Sequence, residues 1–246
     1  MASLAEDNLM IEEYSQTLAK HYSSFRPSLH EEILRRLLIE GETFEYGLDV
    51  GCGTGYSSIA LADYCSRVYG IEPSESMRKE AIRHKKVFYL EGSGEALPLP
   101  AGSIDIATFA GSLFYTRSLA LVDELKRVCR DRSPVIVYDF EILVGTVLSQ
   151  LGINVRDDEP GYDHGLNLSG YDSFTEQTTA KAQIDLYLNS VELAHVLLSS
   201  GGRYDALSKQ FNIVDPFDVL TQALAAIQDD RYLLKVDIYY SKYSLP

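Results

Sequence analysis

The run Gly51-Cys52-Gly53-Thr54-Gly55 constrains this chain more than any other feature. Three glycines at alternate positions follow the β-rich segment Tyr46-Gly47-Leu48-Asp49-Val50 and precede Ile59, Ala60 and Ala62 at helical spacing, which describes a tight strand-to-helix turn. A turn of this kind lets bare backbone approach a ligand and aims amide groups at it, as open α/β sheets do at their switch point. Position 56, where a dinucleotide fingerprint has its third glycine, is Tyr56. Asp49, in the strand just ahead of the first glycine, would repel a pyrophosphate but suits a cofactor with a cationic centre. Glu72 ends the next β-rich run about twenty residues on, where a carboxylate can accept both hydroxyls of a ribose.

The same alternation extends along the chain. Ser28-Leu29-His30-Glu31 fits a capping box, and Leu29, Ile33, Leu34, Leu37 and Leu38 then share one face of a helix that stops near Gly41. Further strands are expected at 67–72, 87–91, 104–110 and 135–140. Helices are expected at 74–84 and at 118–130, the latter burying Leu119, Leu121, Val122, Leu125 and Val128. Strand and helix in alternation imply right-handed crossovers and a doubly wound α/β architecture with a parallel sheet. After Phe140 the pattern changes to a helix at 141–150, an irregular Gly-, Asp- and Asn-rich excursion at 152–170 and a strand at 178–188. Helices beginning near Asn189 and Asp215 and a last strand at 232–240 complete the chain. Loops of that length inside a domain are usually functional.

The 246 residues suffice for one large α/β domain, and 46% hydrophobic against 24% charged residues is a globular balance. No apolar stretch is long enough to span a bilayer, and the N-terminus lacks the basic and apolar regions of an export signal, so a cytoplasmic protein is expected. Cys52, Cys65 and Cys129 are too scattered for a disulfide framework or a zinc site and read as reduced thiols, so no metal is expected. A formal net charge of −14 repels phosphate backbones and anionic lipid surfaces, which disfavours nucleic-acid and membrane partners.

Three motifs occur in order: Asp49-Val50-Gly51-Cys52-Gly53-Thr54-Gly55; Gly70-Ile71-Glu72-Pro73-Ser74 with Met77; and Gly92-Ser93-Gly94-Glu95-Ala96-Leu97-Pro98-Leu99-Pro100, followed by Ser103-Ile104-Asp105. In them the sequence resembles class I S-adenosylmethionine methyltransferases of the quinone-biosynthesis and small-molecule group, over roughly residues 14–140. The resemblance implies a Rossmann-like, mostly parallel seven-stranded sheet with an antiparallel last strand. It also implies S-adenosylmethionine as cofactor, with S-adenosylhomocysteine as product. That cofactor carries a sulfonium and an ammonium and no phosphate, which suits Asp49.

Carried over residue by residue, the resemblance sets the backbone of Gly51 and Gly53, with Cys52 between them, against the methionine part of the cofactor. Glu72 would take the ribose, flanked by Pro73 and Met77, and Ser93, Gly94 and Glu95 would edge the adenine. Ala110 and Gly111 would face the methionine and the methyl-transfer site. Tyr22 and Arg26 belong to a tyrosine and Arg-Pro pattern that helps cover the pocket, so 1–27 is expected to act as a cap and 141–175 as an acceptor-pocket insertion of a single domain. Tyr14, Tyr22, Phe25 and Tyr115 are candidates for an aromatic wall around a sulfonium.

Two departures stand out. The turn before the fifth strand is Arg130-Asp131-Arg132-Ser133-Pro134 where many relatives have a basic-Pro-Gly-Gly sequence, and Gly111-Ser112-Leu113-Phe114-Tyr115 lacks the histidine many relatives carry there. Tyr115 and His164 are the remaining acid–base candidates, His164 being set in the irregular excursion. The expected reaction is in-line methyl transfer to a small-molecule acceptor. A non-catalytic cofactor-binding module and a nicotinamide-dependent oxidoreductase are the alternatives.

Overall fold

The computed structural model describes residues 17–18, 20–21, 24–25, 27–154, 161–228 and 231–246. Helix α1 (Leu29–Leu37) buries Leu29, His30, Ile33, Leu34 and Leu37, and carries Glu31 and Glu32 in its first turn and Arg35 and Arg36 in its last, in keeping with its dipole. Ser28 is its N-cap, but the expected capping box does not form. With ψ at 40° Ser28 lies outside the extended conformation that turns a cap side chain onto the first amides, and its hydroxyl makes no cap bond.

Strand β1 (Phe44–Val50) runs into the glycine turn and helix α2 (Tyr56–Leu61). Strand β2 (Cys65–Ile71), helix α3 (Glu75–Lys79) and strand β3 (Val87–Leu90) follow. Helix α3 is shorter than the 74–84 periodicity predicts, because tertiary partners capture the backbone beyond it: the Ile82 amide donates to Thr54 O at 3.0 Å and the Tyr89 hydroxyl to Ile82 O at 2.8 Å. Strand β4 (Ile106–Ala110) leads through the short helix α4 (Leu113–Thr116) into α5 (Leu119–Val128), capped by Ser118, which accepts the Leu121 amide. Leu121, Val122, Leu125 and Val128 are buried as expected. Leu119 is 73% exposed, since the first residue of the helix faces away from the 121–125–128 stripe.

Strand β5 (Pro134–Ile142) replaces the first residues of the helix expected at 141–150; the Leu143 amide still donates to Lys235 O, and helix α6 (Gly145–Gln150) starts only afterwards. Then come β6 (Thr175–Leu188), α7 (Ser190–Leu198), α8 (Gly201–Phe211), α9 (Phe217–Ile227) and β7 (Tyr232–Ser244). Asn189 and Glu192 close a capping box on α7 that the sequence reading passed over, and α8 is a separate helix it did not distinguish.

The seven strands are ordered β3-β2-β1-β4-β5-β7-β6. The pairs from β3 to β5 are parallel. Strand β7 is antiparallel: Lys235, Asp237 and Tyr239 bond to Asp185, Gln183 and Lys181 on β6, so numbers rise on one strand as they fall on the other. The chain leaves β1 toward β2 and β3 on one side and returns to β4 on the other, which makes the C-terminal ends of β1 and β4 the switch point of the sheet.

The chain divides into two compact units. One comprises residues 28–141, 162–183 and 237–246, with a core that includes Leu48, Val50, Ile71, Phe109, Leu121, Leu125, Val137 and Tyr243. The other comprises 1–27, 142–161 and 184–236, with a core around Leu148, Leu193, Leu197, Leu207, Leu220 and Leu224. The stretch 141–175 is therefore shared, 142–161 in one unit and 162–175 in the other. Cys52, Cys65 and Cys129 are buried free thiols, and burial pushes Cys65 and Cys129 up to about 12. No helix among the described residues is long and apolar enough to cross a membrane.

Candidate functional site

The glycine turn is pinned before it can hold anything. The amides of Gly51 and Cys52 both donate to Ile71 O, at 2.8 and 3.1 Å, so the loop hangs from the end of β2. Gly51 has φ +69°, and a Cβ there would lie 2.5 Å from Ser112 Cβ, so only glycine lets the turn pass beneath the end of β4. Gly53 has φ +54° and differs in one respect, for a Cβ there would meet nothing within 4 Å. Its backbone faces open space while its amide donates to Glu72 Oε2 at 3.0 Å.

Glu72 is 8% exposed, and its other oxygen accepts the Ser74 amide at 2.9 Å. An ionised carboxylate offers about four acceptor sites, so two amide donors orient the group without exhausting it, and it retains the capacity to accept a pair of hydroxyls. Arg78, which the sequence reading did not single out, donates to the carbonyls of Glu72 and Pro73 at 2.6 and 2.7 Å and anchors this corner to α3.

Asp49 stands behind the loop, wholly buried and in register with Thr108 of β4. Ser57 and Ser58, both in the first turn of α2, donate their hydroxyls to Oδ2 at 2.6 Å each, and Thr108 lies 3.1 Å from Oδ1. Burial raises its affinity for a proton, and the three hydroxyls oppose that shift. Its carboxylate thus ties strand, turn and helix together, and it meets side-chain hydroxyls in place of the open space that Gly53 faces. Cys52 is buried in the turn, and burial, then Asp49 and Glu72, hold its thiol well above the usual range, which fits a packing residue.

Around the expected adenine edge, Gly94 is buried, and a Cβ there would press on Leu121 Cδ1 at 3.0 Å and Thr116 Cβ at 3.2 Å. Ser93 and Glu95 on either side are exposed, and the Ala96 amide closes this turn on Ser93 O at 3.1 Å. Met77 and Ala110 are half-buried, and Pro73 is exposed. Tyr14, Tyr22 and Arg26 lie outside the described residues. Phe25 packs against the core of the unit that holds α7 to α9.

The end of β4 is stitched to both neighbours. Ser112 donates its hydroxyl to Val50 O, and the Gly111 amide donates to Tyr138 O at 2.8 Å. Beyond Gly111 lies a polar cluster that the sequence reading saw only in part. Asp139, in the C-terminal half of β5, would be 3.1 Å from a Cβ on Gly111. The Tyr162 hydroxyl stands 2.8 Å from Asp139 Oδ2 and 3.0 Å from Gly111 O, and His164 Nδ1 stands 2.8 Å from the same Oδ2.

Aromatic rings surround this cluster. Phe114 and Tyr115 lie 4.7 and 6.0 Å from Tyr162, and His164 sits between Tyr162 at 4.8 Å and Tyr239 at 5.7 Å, stacked on the latter. His164 was a candidate from sequence; Asp139 and Tyr162 were missed. One signal was available: Asp139 interrupts the apolar run Val135-Ile136-Val137-Tyr138 at the C-terminal end of a strand, where sheets of this kind present groups to ligands. Among the described residues no group of three or more His, Cys, Asp or Glu side chains forms a metal site.

This sheet order, with the glycine turn at its switch point and the acidic corner beside it, is the doubly wound arrangement expected from the sequence, and the comparisons agree with a methyltransferase-like fold. Residues 48–137 match the Methyltransf_11 family, described as a methyltransferase domain. A Dictyostelium discoideum protein assigned as a methyltransferase is 28% identical over 130 residues, covering 52% of this chain and 49% of its own length. An uncharacterized methyltransferase from Geobacillus sp. is 35% identical over 104 residues, covering 39% and 47%. The chain spans about half the length of these curated relatives. Among solved structures, a protein assigned to the type II methyltransferases from Anaeromyxobacter dehalogenans aligns over 89% of this chain and 96% of its own, with a TM-score of 0.63 at 21% identity, which supports the fold.

Proposed function

We propose that this chain binds S-adenosylmethionine and transfers its methyl group to a small-molecule acceptor, releasing S-adenosylhomocysteine. The observation that carries this reading is the pairing of the Gly53 amide with Glu72, at a switch point where one glycine faces open space and the carboxylate beside it keeps acceptor capacity. The residues fit the cofactor. The backbone at Gly51 and Gly53 would hold its methionine part, Glu72 its ribose, the Ser93-Gly94-Glu95 turn its adenine, and Ala110 and Gly111 would border the reacting methyl. The cofactor supplies a methyl on a sulfonium, a leaving group that departs as a neutral thioether.

What remains for the protein is chiefly orientation, a contribution that can reach about 7–11 kcal/mol. Ser112 and Gly111 supply it by locking the exits of β1, β4 and β5 together, so that ligands on either side of Gly111 meet at a set distance and angle. The net charge of −14 favours a small acceptor over a nucleic acid. Residues 162–164 would form the acceptor side.

Calorimetric titration of the purified chain with S-adenosylhomocysteine tests the reading directly. Heat and a rise in melting temperature are expected, with no response to NADH, followed by label transfer from radiolabelled S-adenosylmethionine to members of a phenol and small-acid panel. Absence of any response to the nucleoside overturns the proposal, and binding without turnover across a broad panel leaves a binding module in its place.

A further inference from the structure

We propose that Tyr89 is a positioning residue for the glycine turn, its hydroxyl acting through Ile82 to hold Thr54 and Gly55 in the conformation that takes up S-adenosylmethionine. This inference rests on the methyltransferase reading above and extends it to what presets the cofactor loop. The turn needs such a hold. Gly53 and Gly55 have φ +54° and +93°, a region in which glycine moves at little steric cost, and the open space beside Gly53 supplies no restraint from the ligand side.

The entry to the turn and its exit are secured differently. At the entry, the Gly51 and Cys52 amides donate to Ile71 O and the Gly53 amide donates to Glu72. At the exit, Thr54 is 1% exposed, yet its hydroxyl has no hydrogen-bond partner among the described residues, so its side chain fastens nothing. What reaches it from outside the turn is the Ile82 amide, which donates to Thr54 O at 3.0 Å. Ile82 lies in 81–84, a stretch without regular structure between α3 and β3, and is itself gripped by the Tyr89 hydroxyl, which donates to Ile82 O at 2.8 Å. Both backbone polar groups of Ile82 are thus engaged, one by the turn and one by a side chain of β3.

The position of Tyr89 follows from strand register. Its Cα pairs with Gly70 on β2, where a Cβ would lie 2.9 Å from Tyr89 Cδ1, and a Cβ on Gly55 would lie 1.9 Å from the Tyr89 hydroxyl oxygen. Two glycines therefore make the room in which the ring lies against the turn. Burial, then the neighbouring Cys52 and Asp49, hold the phenol well above its ordinary range, so it stays a donor. The stretch after α3 has a second mooring that does not touch the turn, since Lys86 Nζ donates at 2.7 Å to the carbonyl of Ala62, the C-cap residue of α2. A turn fixed from behind is ready for its ligand. One that samples other shapes binds more weakly, in proportion to the time it spends outside the competent shape.

The test is calorimetric titration of S-adenosylhomocysteine into the full chain, Tyr89→Phe and Lys86→Met, each well below its melting temperature. Tyr89→Phe keeps the ring and removes one hydrogen bond, and should weaken the nucleoside about three- to tenfold. Lys86→Met removes the other mooring, and should lower the melting temperature while affinity stays within about twofold. Amide hydrogen exchange in the unmodified chain gives a second readout. By reciprocity, bound nucleoside should slow exchange at Ile82 and leave Val87, whose amide donates to His84 O, unchanged. Should Tyr89→Phe unfold before it can be titrated, this protection decides alone. Unchanged affinity in Tyr89→Phe, equal losses in both variants, or no added protection at Ile82 overturns the proposal. A full chain that binds no nucleoside overturns instead the methyltransferase reading on which it rests.

Discussion

The two sides of the site are built in opposite ways. The proposed cofactor side is local: Asp49, the glycine turn, Glu72 and Ser74 belong to one strand–helix–strand unit, and its central bond, from Gly53 to Glu72, spans 19 residues. The proposed acceptor side is assembled from afar: Tyr162 reaches Gly111 across 51 residues, and His164 reaches Asp139 across 25, from a segment without regular structure. Short-range geometry that a crossover imposes can be written into a motif. Contacts made by a loop folding back depend on where the whole sheet carries its partners, so no spacing in the chain announces them.

The local side is most vulnerable at Gly51. Gly51→Ala would force a Cβ to within 2.5 Å of Ser112 Cβ at a positive φ, and a loss of about 2–4 kcal/mol in stability, read by urea unfolding, is expected together with loss of nucleoside binding. Glu72→Ala should leave the fold in place but weaken S-adenosylhomocysteine about 10- to 100-fold in calorimetry, because charge-assisted hydrogen bonds at a buried carboxylate disappear.

Tyr162→Phe sharpens the contrast from the other side. Removing the hydroxyl shared by Asp139 and Gly111 should lower kcat about tenfold while nucleoside affinity stays within about twofold. A matching loss of affinity would show that the two sides are not separable.

Smaller effects concern pH. Asp49 has its folded-state value raised by burial, so it contributes stability below its ordinary carboxylate range and loses that contribution as pH rises through the raised value. Asp49→Asn should therefore flatten this slope in the melting temperature on the acid side. In the other unit, His21 and His195 meet Nδ1 to Nδ1 at 3.0 Å beside Phe217, and burial holds both below their ordinary value of 6.5. They contribute stability above that value and lose it as pH falls through their depressed folded values. A fall in melting temperature on acidification below about pH 6.5 is expected, and His195→Phe should reduce it.

How much was legible can be traced through particular residues. The apolar spacing of Ile33, Leu34 and Leu37, the glycine turn and the strands that became β1 to β5 were readable because burial on one face imposes a period on the sequence. Failures occurred where a tertiary partner outweighed a local signal. The helix stops short of 84 because Ile82 bonds to Thr54 and Tyr89, residues 141–142 stayed in the sheet because β7 lies alongside, and Ser28 had a cap residue's identity without a cap's conformation. In the site, Asp49 was read as facing a cationic ligand, yet its oxygens meet Ser57, Ser58 and Thr108, hydroxyls that only strand register and the first turn of α2 bring together.

The amino-acid order alone was enough to specify the doubly wound sheet and the bend of glycines at its switch point, because steric freedom at glycine and the periodic burial of apolar side chains act over a few residues. Folding was needed to join His164, a candidate without a partner in the sequence, with Asp139 and Tyr162, two positions that had not stood out, into a hydrogen-bonded cluster beside Gly111. That cluster exists because parallel pairing sets the end of β4 beside Tyr138 of β5, and such proximity is a property of the sheet and of no single segment.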